Sequence, residues 1–317
     1  MHGSDLLHPK EALHHHKRNE SKSSAGSVIS SGGFSDTNTC QRAKYGRLNG
    51  KLLGKGAWGT VKCILRRNDQ KQFAVKKFRA KTSSEDQRTY VKTVLGEYTI
   101  ASLFHHPYVI ETLDLIVEDG RYFQIMEYCP TDLFTVLKER QPRPSADQID
   151  KWFKEIVTGI DYMHNLGVVH RDVKCENILL DPYDRVKIID FGLADVYKTA
   201  FETKPRLSKG KSGSPPYMAP EIHLHPKGYD GRQVDVWSLG ILYLTMQVGA
   251  FPWNEATNED DHFHRYLGRK CCLDRTFLQV LSQERSNLVH QMLQVDPEKR
   301  ITVKGILADP VLSEIEV

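Results

Sequence analysis

The chain has no paired-cysteine framework: its six cysteines, spread over 317 residues, include no Cys-x-x-Cys spacing. So few scattered thiols disfavour a disulfide-stapled secreted domain and predict a reducing, cytoplasmic setting. The opening segment also lacks the apolar stretch of a secretory leader. Long apolar runs are missing as well. The longest nearly apolar stretch, Val236 to Phe251, is too short for a membrane span and is interrupted by Ser238, Gln247 and Gly249. It predicts a buried core helix instead. Charge of one sign is scarce too, with 44 basic residues against 40 acidic ones for a net charge of +4. Nucleic-acid binding through bulk charge is therefore not expected.

What is present is ample core material, since 39% of the residues are hydrophobic and the length fits about two domains or one two-lobed domain. Residues 1–43 stand apart. They hold eight serines, four glycines and one aromatic, Phe34. That composition buries too little apolar surface to offset its ordering entropy and predicts a disordered Ser-rich tail. Its His14-His15-His16-Lys17-Arg18 run suits a solvated tail better than a metal site or an import signal. From Tyr45 onward β-like runs appear at Lys51–Leu53, Thr60–Arg66 and Gln72–Phe78, then a helix at Tyr90–Leu103 carrying Val94, Leu95, Tyr98, Ala101 and Ser102. Strands at Ile110–Glu118 and Tyr122–Glu127 flank an Asp119-Gly120 turn. Beyond Pro130 the pattern is mostly helical, at 132–140, 145–166, 234–250, 276–282 and 284–294.

Gly54-Lys55-Gly56-Ala57-Trp58-Gly59-Thr60-Val61 is a glycine-rich loop of the kind that lets backbone N–H groups approach phosphates. Strand-like sequence follows it, where a dinucleotide fingerprint would open a helix. Seventeen residues after Gly59, the run Ala74-Val75-Lys76 ends a strand with a cation. By two-residue alternation only one of Lys76 and Lys77 can face a cleft. The run His170-Arg171-Asp172-Val173-Lys174-Cys175-Glu176-Asn177 fixes several chemical types at set spacings, and Asp190-Phe191-Gly192 and Ala219-Pro220-Glu221 follow in order. Ile178–Leu180 and Val186–Ile189, joined by Asp181-Pro182-Tyr183-Asp184, read as a hairpin with these motifs at its ends.

Taken together, this ordered set resembles the eukaryotic protein kinases over about residues 45–313. The resemblance implies an α+β bilobal fold, with a small β-rich N-lobe at about 45–127 and a larger helical C-lobe at about 132–313, in a kinase domain spanning 44–317. It implies ATP and Mg²⁺ as cofactors and Ser/Thr hydroxyls of proteins as substrates. Lys76 would meet the α- and β-phosphates and be held by Glu97, with Glu85 the poorer choice in its polar loop. Asp190 and Asn177 would hold metal, Asp172 would take or orient the substrate proton, and Lys174 would approach the transferring phosphate. The loop residues Gly54, Lys55, Gly56, Ala57, Trp58 and Gly59 would cover the phosphates. Val61, Ala74 and Leu179 would sandwich adenine, with Met126 as gatekeeper, Glu127 and Cys129 in the hinge, and Asp132 near the ribose or a basic substrate residue. Lys174 and the Gly213-Ser214 pair favour Ser/Thr over Tyr. A pseudokinase scaffold is the alternative, disfavoured because Lys76, Glu97, Asp172, Asn177 and Asp190 are all present.

The short hinge Glu127–Phe134, the Ser212–Tyr217 run and the Asp296–Thr302 run are similar to fungal kinases of the halotolerance and nitrogen-permease-reactivator type, which regulate plasma-membrane transporters. By the same resemblance, Asp235 would anchor the catalytic loop and Glu221 would pair with Arg300. Asp132 and Glu176 together imply a modest preference for basic residues before the target hydroxyl, because the third acidic position is Thr245. Gly210 stands where many kinases carry an activating phosphothreonine. Any activating phosphate therefore sits on a neighbour such as Ser208 or Ser212, with Arg171 in reach, or is not needed.

Overall fold

The computed structural model describes residues 44–46, 48, 50–56, 58–225, 227–269, 273, 277 and 279–317. The Ser-rich tail and Ala57 lie outside the described residues, as do positions 276 and 278; of the helix predicted at 276–282, residues 279–281 instead form a turn that leads to the N-cap Ser282 of the next helix. Strands β1 (Lys51–Gly56), β2 (Gly59–Leu65) and β3 (Gln72–Phe78) are followed by helix α1 (Gln87–Ser102), then β4 (Thr112–Glu118) and β5 (Arg121–Glu127). The five strands form one antiparallel sheet in the order β1-β2-β3-β5-β4. Asp119 and Gly120 both take positive φ (49° and 69°) between β4 and β5, the geometry that closes a two-residue hairpin without splaying its strands.

Register decides which side chains share a face. Val61 pairs with Lys76, Cys63 with Ala74, and Ala74 with Met126, so Val61, Ala74, Lys76 and Met126 line one side of the sheet. The opposite side carries Ile64, Phe73, Val75, Phe123 and Ile125, sealed with Tyr45 into a separate apolar cluster. Lys77 lies on that second side, its ammonium over the Phe123 ring. The two lysines thus lie on opposite faces of β3, as two-residue alternation requires.

Helix α1 begins at the N-cap Asp86, whose carboxylate accepts the Thr89 N–H. Its buried stripe is Tyr90, Val94, Glu97 and Ala101. Leu95, which the sequence placed on the stripe, is exposed. A carboxylate takes the inward position because a cation on β3 waits for it.

The helical part opens with β6 (Thr131–Asp132), α2 (Leu133–Glu139) and α3 (Ala146–Asn165), followed by β7 (Val168–Val169), the hairpin β8 (Ile178–Leu180) and β9 (Val186–Ile188), and β10 (Asp195–Val196). It continues through α4 (Pro220–Leu224), α5 (Gly231–Val248), α6 (Asp261–Gly268), α7 (Gln283–Met292), α8 (Val303–Leu307) and α9 (Pro310–Ser313). The predicted hairpin is present, with Leu179 opposite Lys187. Helix α5 is buried on nearly every side, as an apolar run of that length requires, and it starts before the run and ends at Gly249 (φ 82°). Trp152, Phe153 and Ile156 of α3 and Trp237, Leu239 and Ile241 of α5 share one large core, which continues to Phe104 and Ala101 beneath the sheet. Among the described residues no helix is long and apolar enough to cross a membrane.

Candidate active site

Lys76 sits on the inner face of β3, and its ammonium contacts the Glu97 carboxylate from α1 and, at 3.3 Å, Oδ1 of Asp190. Burial alone would push the Lys76 ammonium down, but the two carboxylates outweigh it and hold its pKa above the ordinary lysine value. Asp190 shows the reverse. Burial raises its carboxyl, Lys76 outweighs that effect, and the net pKa is lowered. Gly192 lets these groups converge, since a Cβ there would lie 3.3 Å from Oε2 of Glu97 and 3.4 Å from Oδ1 of Asp190. Glu85 is elsewhere, forked onto Arg79 at 2.9 and 3.0 Å.

The loop after β7 is held by a single buried carboxylate. Asp235, fully buried on α5, accepts the backbone N–H of His170 at 2.9 Å and of Arg171 at 2.7 Å, and meets His164 Nε2 at 2.8 Å. Arg171 has φ 65°, a conformation that non-glycine residues seldom adopt and that these bonds over-determine. Nδ1 of His170 accepts the Asp172 N–H (3.2 Å), so its protonated Nε2 donates to the Ile189 carbonyl (3.0 Å) just before Asp190. The imidazole thus ties the Asp172 loop to the Asp190 turn.

Asp172 is the hub of a small net. Its Oδ2 accepts Lys174 Nζ at 2.6 Å and Asn177 Nδ2 at 3.1 Å, and its Oδ1 accepts the Ser214 hydroxyl at 2.9 Å. Lys174 also donates to Ser214 Oγ at 2.8 Å. Because the Asn177 amide N–H₂ is spent on Asp172, its carbonyl oxygen is the end left to accept or to ligate. Mg²⁺ takes hard oxygen donors and needs only one or two protein ligands beside phosphates and water. A half-exposed Asp190 carboxylate and the Asn177 oxygen fit that requirement.

Around this centre, Gly59 turns from β1 to β2 with φ 155°, its Cα so close to Lys77 that a Cβ would stand 2.1 Å from that carbonyl. Among the described residues, and apart from the chain neighbours, no atom lies within 4 Å of a Cβ built at Gly54 or Gly56, so there is open space beside these two glycines. Lys55 is exposed, and Trp58 stacks under the Arg79 guanidinium. Leu179 comes from β8 and Met126 from the end of β5. The Glu127 carboxylate accepts the Glu111 N–H and Lys187 Nζ, both at 2.8 Å, and Cys129 is buried, its thiol pKa pushed up to about 12 by desolvation. Asp132 is the N-cap of α2, accepting the Thr135 N–H (2.8 Å) and hydroxyl (2.9 Å). Glu176 is exposed. The ring roles of His164 and His170 and the contact of Tyr217 with the Cys175 N–H have no signal in spacing alone.

Residues 48–312 match the protein kinase domain family. The chain is 38% identical over 247 residues to Serine/threonine-protein kinase oca2 of Schizosaccharomyces pombe, covering 78% of this chain and 37% of that protein. It is 41% identical over 223 residues to Nitrogen permease reactivator protein of Saccharomyces cerevisiae, covering 70% and 28%. It is 38% identical over 280 residues to Serine/threonine-protein kinase HAL4/SAT4 of the same yeast, covering 84% and 46%. The chain belongs to the protein kinase family, and its similarity runs to fungal serine/threonine kinases. It spans less than half the length of these three relatives. The family uses ATP and a divalent metal in general terms.

Proposed function

We propose that this domain transfers the γ-phosphoryl group of ATP to Ser and Thr hydroxyls of protein substrates. The observation that carries this reading is the net in which Lys174 joins Asp172 to Ser214, beside the Lys76–Glu97–Asp190 cluster. Phosphoryl transfer passes through a loose transition state, so the chain contributes mainly position and charge. Lys76, braced by Glu97, pairs with the α- and β-phosphates. Asp190 and Asn177 would hold Mg²⁺, which supplies charge neutralisation on the phosphate oxygens. Asp172 orients the substrate hydroxyl and takes up its proton, and Lys174 steadies charge on the moving phosphoryl group. The glycine-rich loop closes over the phosphates, while Val61, Ala74 and Leu179 enclose the adenine between the sheet and β8, with Met126 at its back and the Glu127–Cys129 backbone at its edge. Ser214 supports Ser/Thr over Tyr specificity, because its hydroxyl is built into the net.

The likeness to the nitrogen permease reactivator supports a role in regulating membrane transport proteins. The test is to incubate the purified protein with Mg·ATP and a degenerate peptide library and to map products by mass spectrometry. Phosphate on Ser and Thr is the expected result. Nucleotide binding with no phosphopeptide would contradict it and favour a scaffold.

A further inference from the structure

Gly210 offers no hydroxyl, yet Arg171 and Asp172 of the catalytic loop both hydrogen-bond to the segment from Asp190 to Glu221. The Arg171 guanidinium shows how. Its Nε donates to the Leu193 carbonyl at 2.8 Å and its Nη1 to the Lys209 carbonyl at 3.2 Å. The same Nη1 stands 3.9 Å from Oδ2 of Asp195, and that oxygen accepts the Ser208 hydroxyl at 2.8 Å. Asp195 reaches this place because β10 pairs with β7, which sets it opposite Val169, two residues before Arg171. Ser208 is only 1% exposed. Its backbone exchanges both hydrogen bonds with Tyr229, at 2.9 and 3.0 Å, and the Tyr229 hydroxyl donates to the Gly210 carbonyl at 2.9 Å. Oγ of Ser208 lies so close to Gly231 that a Cβ there would be 3.0 Å away.

A phosphate on Ser208 therefore has no room, and it would be thrust against the Asp195 carboxylate that the hydroxyl now contacts. Ser212 does not take its place, because its hydroxyl oxygen is buried with no hydrogen-bond partner among the described residues. Nor is the neighbouring Lys211 waiting for an anion, since it is paired with Glu255 at 2.9 Å.

We propose that Asp195 is a positioning residue, a built-in carboxylate that joins Arg171 of the catalytic loop to Ser208 of the following segment. It holds that segment in the transfer-competent arrangement without any phosphate. This assignment rests on the kinase reading above. Arg171 directly precedes Asp172, and Gly213, whose Cβ would stand 3.0 Å from the Arg171 carbonyl, directly precedes Ser214. Disturbing Asp195 thus reaches the Asp172–Lys174–Ser214 net and leaves the Lys76–Glu97–Asp190 cluster untouched. The expected signature is a lower kcat with an unchanged KM for ATP.

The experiment compares initial rates on a Ser/Thr peptide for the 317-residue chain before and after phosphatase treatment, with phosphate content checked by mass. Treated and untreated wild type should agree within about twofold, and Asp195→Ala and Ser208→Ala should each lower kcat about tenfold, the loss of one charge-assisted hydrogen bond. The double variant should fall no further than Asp195→Ala, because one shared bond is lost. Asp195→Asn, which still accepts the Ser208 hydroxyl, should recover part of the loss. Activity that disappears on phosphatase treatment would overturn the assignment of Asp195 and leave the kinase reading standing. So would an Asp195→Ala variant with wild-type kcat. If Asp195→Ala does not fold, Ser208→Ala and the phosphatase arm decide the matter. No transfer by wild type in either state would contradict the kinase reading, and this inference with it.

Discussion

Two clusters of buried charge differ in what they leave open. At the base of the helical lobe, Arg300 forks onto Glu221 at 2.7 and 3.1 Å, with both side chains nearly inaccessible and the guanidinium also held by the Gln233 and Gln294 carbonyls. Four hydrogen bonds tie that guanidinium into the protein, two of them to the carboxylate that balances its charge. In the cleft, Lys76 is shared between Glu97 and Asp190, and Asp190 remains 43% exposed. A closed pair is structural. An open one can exchange a protein partner for a ligand, and that difference separates residues whose loss costs rate from those whose loss costs stability.

The largest expected effect is on the open cluster. Lys76→Met removes the cation proposed to meet the phosphates and should lower kcat/KM on the order of 10²–10³-fold, the usual loss for one electrostatic contact made in the transition state. Steady-state kinetics on a peptide substrate read this directly, and a near-normal rate would show that Lys76 is only a strand lysine. The closed cluster should answer in the other currency. Glu221→Ala leaves the Arg300 guanidinium uncompensated in the core and should destabilise the protein by about 3–5 kcal/mol, seen as a lower urea midpoint. Unchanged unfolding with lost activity would break the comparison.

Asp235 supplies a pH test between these extremes. Burial raises its carboxyl, but the hydrogen bonds it accepts, from the His164 ring first and from the His170 N–H, help to outweigh that, so the folded pKa lies below the ordinary aspartate value. The unfolded state then binds more protons, and the stabilisation is complete above about pH 4 and is lost as pH falls through the folded pKa. Wild-type stability should decline on acidification below that point more steeply than that of Asp235→Asn, as measured by denaturant titrations across the acid range. Parallel curves would remove Asp235 from the account.

The smallest effects concern substrate preference. Asp132 already caps α2, so Asp132→Ala should cost about 1 kcal/mol in stability as a lost N-cap. The exposed Glu176 should carry the modest preference for basic residues upstream of the target. Peptide arrays with Glu176→Ala check this, and an array in which wild type prefers acidic residues would contradict it.

Much of the site was legible because its chemistry sits at fixed spacings on regular elements. Alternation allowed only one of Lys76 and Lys77 into the cleft and the motif resemblance chose Lys76, helical position favoured Glu97 over Glu85, and the Ile178–Ile189 hairpin put Asn177 and Asp190 at its two ends. Periodicity failed where tertiary partners overruled polarity. Leu95 was expected inside and Glu97 is there instead, because only the fold shows that Lys76 faces α1. Asp195 was invisible for a related reason, since its role depends on pairing between two strands of two residues each. Ser208, singled out as a phosphorylation candidate, is buried through a backbone bridge to Tyr229 that no local pattern announces.

The most direct test of the contrast between open and closed charge is to measure melting temperature and peptide phosphorylation on one preparation of Asp190→Asn. The isosteric amide keeps the shape of the Asp190 turn but removes the charge proposed to hold the metal and weakens the Lys76 contact. The account expects a melting temperature within about 2 °C of wild type and transfer lower by on the order of 10²-fold or more. Wild-type transfer by Asp190→Asn, or loss of activity explained entirely by unfolding, would contradict it.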